Sequence, residues 1–484
     1  MAVNIEEEEE ITLDDALNEF ESQTSNFTED WAYYNSEKRD IAIGLSTPPA
    51  LRSLLAQVGV PRILVDSITE RLKIEGFRRG SKADVEKGEV DELWSWFRAN
   101  SLDTAQSMQV KDSLIYGRSY ITISAPGETD NEDPLAIPDV PIIRVESPND
   151  LYAKVDPRTK RVQWAVRKVV NEEGDNVAAT LYLKDRTEFY IYHENELVLD
   201  DTVNHGLGVV PVVPAIRPSS ASDVYGTSYI TPEIRSITDA MSRTIMNLQT
   251  TSELMATPQR MLFGTTVDEV NGDNKTPLEL YASSYLVMEN PDAKAMSLPS
   301  AELSNYTTAI SQYMKLAAAY TGLPPQYLSF TSDSPASAEA IRASEARLVA
   351  TCERMADDFG DAWETAMRIA LLVMGNTLTI DDFQMETVWR NPATPTYASV
   401  ADAATKAYGN GNGPIPKEQV RIDMGYTFEQ RRQMEEWDKQ EVGYMTGAMY
   451  QLEQDEGVDN DSIPGGEDNS EDGSAGNPID SNGS

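Results

Sequence analysis

From Ser334-Pro335 to Gly375 the chain reads as one long helix, and this feature constrains the fold more than any other. Its apolar stripe is Ile341, Leu348, Cys352, Met355, Phe359, Trp363, Met367 and Ala370, the spacing of a single helical face. At 1.5 Å per residue such a helix spans about 60 Å. That exceeds the width of a typical small domain, so the expected shape is elongated.

Two further helices precede it. Thr231-Pro232-Glu233 is a helix start, with Pro at the first helical position and Glu in the first turn. Ile234, Ile237, Met241, Ile245 and Leu248 follow at helical spacing, and Pro258 ends the segment. The next stripe is Leu303, Tyr306, Ile310, Tyr313, Ala317 and Tyr320, stopping at Gly322. Stripes this close to heptads suit a partner helix, and they equally suit an ordinary amphipathic core helix. Residues 258–299 read as mixed and short-stranded, and 321–335 as a loop.

Residues 13–118 read as mostly helical, broken at Pro48-Pro49 and restarted at Pro61 with Ile63, Leu64, Ile68 and Leu72 on one face. Residues 119–217 read as β, with alternation in Ser119–Ser124, Val177–Leu183 and Thr187–Tyr192. Asn171–Asp175 is a hairpin turn after Val162–Val170. Val209–Val213, interrupted by Pro211, fits an edge strand or a buried connector. Beyond 376, Pro392, Pro395 and the 409–414 Gly/Asn/Pro cluster break the pattern before a helical stretch at Phe428–Tyr450.

Charge narrows the function. The 484 residues hold 80 acids and 40 bases, a net −40. Twelve acids precede Lys38 and eleven follow Lys439, with no Lys or Arg in either stretch. From about Asp455 the chain is rich in Gly, Ser, Asn and Asp, too poor in apolar groups to offset ordering, and is expected to be disordered. A pI near 4.3 opposes tight nucleic-acid or anionic-membrane binding. One Cys and two His argue against disulfides and metal centres. No run approaches the roughly 20 apolar residues of a membrane span, and the acidic N-terminus is no signal peptide, so a soluble, cytoplasm-made protein is expected.

Catalytic constellations do not emerge. There is no P-loop, dinucleotide fingerprint or nucleophile elbow. Cys352 sits in the apolar stripe as a structural Cys, and His193 and His205 read as structural. Carboxylate pairs are too common in so acidic a chain to single one out or to exclude.

A set of short phrases nevertheless runs in order along residues 30–375. They are Val65-Asp-Ser-Ile-Thr-Glu-Arg-Leu-Lys-Ile-Glu-Gly-Phe77, Trp94 through Asp103, Tyr116-Gly117-Arg118-Ser119-Tyr120, His205-Gly-Leu-Gly-Val-Val-Pro211 and Tyr225-Gly226-Thr227-Ser228. Ala256-Thr-Pro-Gln-Arg260, Thr321-Gly-Leu-Pro324 and Ser334-Pro-Ala-Ser-Ala-Glu-Ala-Ile-Arg-Ala343 complete it. Together they resemble the portal proteins of long-tailed (siphovirus) phages, especially those infecting actinobacteria. The last hundred residues resemble the family only in being helical and then acidic.

The resemblance implies an elongated α+β portal fold with a mainly helical stem and crown and a mixed α/β wing and clip. By position, 1–30 is an acidic N-terminal segment and 31–227 the wing, helical and then β-rich. Residues 228–257 and 303–320 are the stem helices, with the clip at 258–302 between them. Residues 321–336 are the channel loop, 337–414 the long helix and return to the wing, 415–455 the crown, and 456–484 the disordered tail. It further implies a ring of about twelve subunits at one capsid vertex, the channel for double-stranded DNA in packaging and ejection. The implied partners are the terminase large subunit, a head–tail adaptor, the major capsid protein and a scaffold. The implied location is the virion, and the host cytoplasm during assembly. No catalysis, cofactor, metal or membrane is implied.

On this scheme Arg235, Arg243, Lys315, Arg342 and Arg347, with Tyr327 and Phe330 in the loop, are candidates to face DNA. Each cation has a surface or inter-subunit salt bridge as its alternative, and each aromatic has packing. Ile237, Met241, Ile245 and Leu248 are candidates for the seam between neighbouring stems. The competing functions are another virion ring or head–tail connector, argued against by the long helix, and an acidic hydrolase with a carboxylate cleft.

Overall fold

The computed structural model describes residues 11–24, 26–37, 55–80, 92–126, 139–171, 176–193, 196–255, 260–263, 292, 294–297, 302–328, 338–393, 397–409, 413–426 and 430–440. Among the sequence expectations, the Glu6–Glu10 run, the Pro48-Pro49 break, the turn at 172–175, most of 264–291, Phe330 and everything after 440 lie outside these residues. The chain divides into two units, Met1–Pro395 and Thr396–Ser484.

The first unit opens with helices α1 (Leu13–Thr24), α2 (Phe27–Tyr34) and α3 (Val60–Thr69). Strand β1 (Ile74–Arg78) follows, then α4 (Glu92–Ala99) and α5 (Leu102–Tyr116). The helical reading of the Ile63–Leu72 stripe is shortened here. The helix stops at Thr69, and the chain extends to pair antiparallel with β12 (Glu386–Trp389), Phe77 opposite Thr387. Apolar spacing does not reveal a five-residue strand whose partner lies some three hundred residues away.

The β region forms two sheets. Strands β2 (Arg118–Ser124), β3 (Ile142–Glu146) and β9 (Val212–Ile216) make an antiparallel sheet ordered β3-β2-β9. The Val209–Val213 run therefore supplies an edge strand, where Pro214 costs least. β2, at the centre, is buried along all but its last residue, because helices cover the face that alternation would leave open. Strands β4 (Leu151–Val155), β5 (Val162–Val170), β6 (Asn176–Tyr182), β7 (Arg186–His193) and β8 (Glu196–Asn204) form a meander in sequence order. α1 seals it by burying Leu13, Ala16 and Phe20 in one cluster with Tyr152, Trp164, Val166 and Leu181.

Then come α6 (Pro232–Met255), the short paired strands β10 (Arg260–Phe263) and β11 (Lys294–Ser297), and α7 (Ser304–Thr321). The β10–β11 ladder draws together the two ends of the stretch between those helices. After α8 (Pro325–Leu328), helix α9 (Ala338–Val373) runs 36 residues. Its stripe from Leu348 to Ala370 is buried, whereas Ile341 is exposed. The stripe packs with α3, α4 and α5 residues in the largest cluster of the core. α10 (Ile380–Phe383) leads into β12. The second unit contains α11 (Tyr397–Tyr408), α12 (Lys417–Asp423) and helical residues 430–440. There Arg421 holds Asp438 at 2.6 Å, as Lys417 does from the same helix.

Candidate functional site

The elements singled out by sequence are α6, α7, α9 and the turn between α7 and α9. α6 and α7 pack together, and Thr251 Oγ1 meets Tyr306 OH at 3.1 Å. α6 starts where Pro232 supplies a preset φ and lacks an N–H that would go unbonded. Its buried face is Ile234, Thr238, Met241, Ser242, Met246 and Thr250, richer in hydroxyls than the apolar stripe suggests. Thr238 satisfies its own hydroxyl on Ile234 O at 2.7 Å.

The four seam candidates therefore divide. Met241 is 1 % exposed and belongs to the core of its own chain. Ile237 is partly buried against that core, and Ile245 and Leu248 are half-buried.

The cations also differ. Arg235 is turned inward: its guanidinium pairs with Asp30 and reaches Glu29 at 3.4 Å. Its Nε donates to Ile230 O at 3.0 Å, and it lies over the Tyr33 ring, 5.3 Å from the centroid. Tyr33 in turn donates to Asp239 at 2.9 Å. The first turns of α6 are thus clamped to α2, and the Arg235 charge is spent inside the chain. Arg347 Nη1 donates to Ala319 O at 2.8 Å, placing a cation at the carbonyl end of α7, where the helix dipole is negative. The Arg347 side chain lies against Gly322, which closes α7 at φ +74°. Lys315 and Arg342 are exposed and Arg243 is half-buried.

Tyr327 is held by packing and hydrogen bonds. Its hydroxyl donates to Glu345 at 2.8 Å and accepts from Arg71 at 2.7 Å, and Arg71 also reaches Pro392 O at 2.7 Å. This network ties the turn after α7 to α3 and α9.

The sequence reading quotes Arg118 in a phrase but assigns it no role. Arg118 is 5 % exposed and sits among the rings of Phe27, Tyr152 and Tyr225, 5.3–5.7 Å from their centroids. Its Nη2 donates to Gln23 O at 3.3 Å, so it ties the end of α1 to β2, while Tyr152 brings in the meander. Cation–π contacts leave no spacing signal, because the rings come from three remote segments.

Burial pushes the Cys352 thiol up to about 11, so it stays a protonated core group at neutral pH. Among the described residues, no cluster of His, Cys, Asp or Glu could hold a metal, and no helix is long and apolar enough to cross a membrane.

Comparison with known proteins gives the context. Residues 13–445 match the family described as phage portal protein, SPP1 Gp6-like. The portal protein of Mycobacterium phage D29 is 46 % identical over 445 residues, 91 % of this chain and 90 % of that one. The portal protein of Mycobacterium phage L5 is 45 % identical over 449 residues, 92 % of this chain and 91 % of that one. With a family match across most of its length and two such relatives, this mixed α and β chain belongs to the SPP1 Gp6-like family of phage portal proteins.

Proposed function

We propose that the chain closes into a ring of about twelve copies, joined by a heterologous contact that rotation completes, at one vertex of the capsid. Double-stranded DNA passes through the ring during packaging and leaves by it during ejection. The observation that carries this reading is identity of 45–46 % with two portal proteins over nine tenths of each chain. α6 and α7 serve as the stem pair, residues 258–302 as the clip that docks the terminase large subunit and then head–tail adaptors, and 415–455 as the crown. The wing, 31–227, faces the major capsid protein and scaffold.

Physical chemistry supports a conduit. Each neutralised phosphate releases counterions and adds affinity, which would slow sliding. A chain of net −40 repels the duplex instead. With Arg235 spent on Asp30 and Arg347 on the end of α7, the exposed Lys315 is the better candidate to meet the duplex. The ring performs no catalysis, so the packaging motor is a separate terminase. Assembly takes place in the host cytoplasm.

Native mass spectrometry with negative-stain imaging of the same sample tests this. The expected result is a closed ring of about twelve chains around a hole wide enough for a duplex. A monomer or dimer that stays open at high concentration and in the presence of capsid protein and scaffold would overturn it.

A further inference from the structure

Three arginines from remote parts of the first unit act electrostatically on one phenol, and one of them stacks on it. Arg217 follows β9, Arg347 and Arg354 lie two turns apart on α9, and Tyr229 precedes α6. Burial raises the Tyr229 pKa, and Arg217, Arg354 and Arg347 all pull against that rise. The Arg217 guanidinium stacks on the Tyr229 ring, 4.5 Å from its centroid. Its Nη1 caps Thr227 O at 2.7 Å, while its Nε is buried without a hydrogen-bond partner. Burial lowers the Arg217 pKa. Tyr229, Asp223 and Asp358 oppose that fall and Arg354 adds to it.

Among the described residues, none of the three arginines makes a salt bridge with a carboxylate. This happens in a chain with two acids for every base. Arg217 and Arg354 line a cleft of about 590 Å3 together with Lys160, on the turn between β4 and β5. Asp223 and Asp358 also line it. Asp223 is occupied, accepting hydrogen bonds at 2.8–2.9 Å from Ser219, Gly226 and Thr227 of its own loop. Asp358 follows Arg354 by one turn of α9 without closing an ion pair. The formal balance at the cleft is three cations to two anions, against −40 for the whole chain.

The size falls in the range of small-molecule sites, roughly 300–1,000 Å3. Two guanidinium forks and an ammonium suit a tetrahedral oxyanion, which can accept from both forks at once. We propose that this cleft binds a phosphate group, carried either by a free phosphate monoester or by a nucleic-acid backbone. Arg354 and Lys160 supply the accessible charge, and Arg217 forms the half-buried wall. This site goes beyond the ring function and does not depend on assembly.

Isothermal titration of the full chain at constant ionic strength tests it, with inorganic phosphate, AMP, glutarate and a duplex of about 20 base pairs as probes. Phosphate and AMP should bind, and Arg354→Gln should weaken them at least about tenfold. Arg432→Gln, an exposed arginine of the second unit, should change nothing. Arg354 is exposed, so its variant should keep the wild-type melting midpoint, and Lys160→Gln gives an independent second loss. If Arg354→Gln also weakens the duplex and lowers its salt slope by about one, the phosphate comes from nucleic acid. If AMP alone responds, it comes from a free monoester. Either outcome upholds the site. No binding of phosphate or AMP to the wild type, equal loss in Arg432→Gln, or glutarate binding as tightly as phosphate would overturn it.

Discussion

Trp363 sits where α9 crosses the helical layer, with no exposed surface, its ring edge-on to Phe97 at 5.5 Å and its indole N–H donating to Gln109 Oε1 at 3.2 Å. Trp363→Ala should cost about 3–5 kcal/mol, because it opens a cavity and strands the Gln109 carbonyl. The midpoint of urea unfolding measures this. Trp363 was legible as a core residue, since it sits in the α9 stripe. Gln109 was not, because a buried amide satisfied by Ser113 and Trp363 looks like any polar helix residue. Asp112 on the same helix is held up at about 6, chiefly by burial, with Asp150 adding to the rise and the Ser147 hydroxyl and Lys111 opposing it. A carboxyl that holds its proton more tightly when folded adds stability that is fully present below about pH 4. That stability is lost as pH rises through about 6, on the order of 2–3 kcal/mol. Asp112→Asn should remove this share, flattening the difference in unfolding midpoint between pH 4.5 and 7. An unchanged slope would mean that Asp112 is already ionised in the fold.

At the scale of elements, a close meeting lies between two turns that sequence placed a hundred residues apart. Gly117 ends α5 at φ +90°, and Gly226 in the loop before α6 has φ +78°. A Cβ on Gly226 would fall on the carbonyl oxygen of Gly117, and one on Gly117 would come within 2.7 Å of Thr227 N. The Gly117 carbonyl accepts from Arg217 N at 2.9 Å, which locks the two loops. Gly226→Ala should therefore cost about 2–4 kcal/mol, from strain and overlap together. Gly206→Ala, at φ +59° with nothing near its Cβ position, should cost about 1 kcal/mol. Thermal melts of the two variants separate strain from contact. Both glycines stood in the phrases that resemble the portal family, but their contact is a property of the folded chain. Long periodic helices were the readable elements: α6, α7 and α9 begin and end within about three residues of the spacing-based bounds. The four- and five-residue strands β1 and β12 were not, because each is shorter than a period can establish.

At the scale of the molecule, the proposed ring turns on what α6 leaves outside its own core. Met241 is consumed internally, so Ile245 and Leu248 carry the proposed seam. Ile245→Glu with Leu248→Glu should leave the fold intact and abolish ring closure, read as loss of the ring species in native mass spectrometry with an unchanged melting midpoint. A ring that forms normally would place the seam elsewhere. The stripe alone could not separate Met241 from its neighbours, since a helix between two partners shows the same spacing toward each.

The bond between Trp363 and Gln109 spans 254 residues of chain, and the β1–β12 pair spans more. At a translation rate of about 5–20 residues per second, the ribosome needs roughly 13–50 s to deliver Trp363 after Gln109. For that interval the nascent chain holds an open groove where α9 belongs and an unpaired β1 edge. The core is therefore incomplete until nearly four hundred residues have been made. The order of synthesis thus sets a delay before either contact can close.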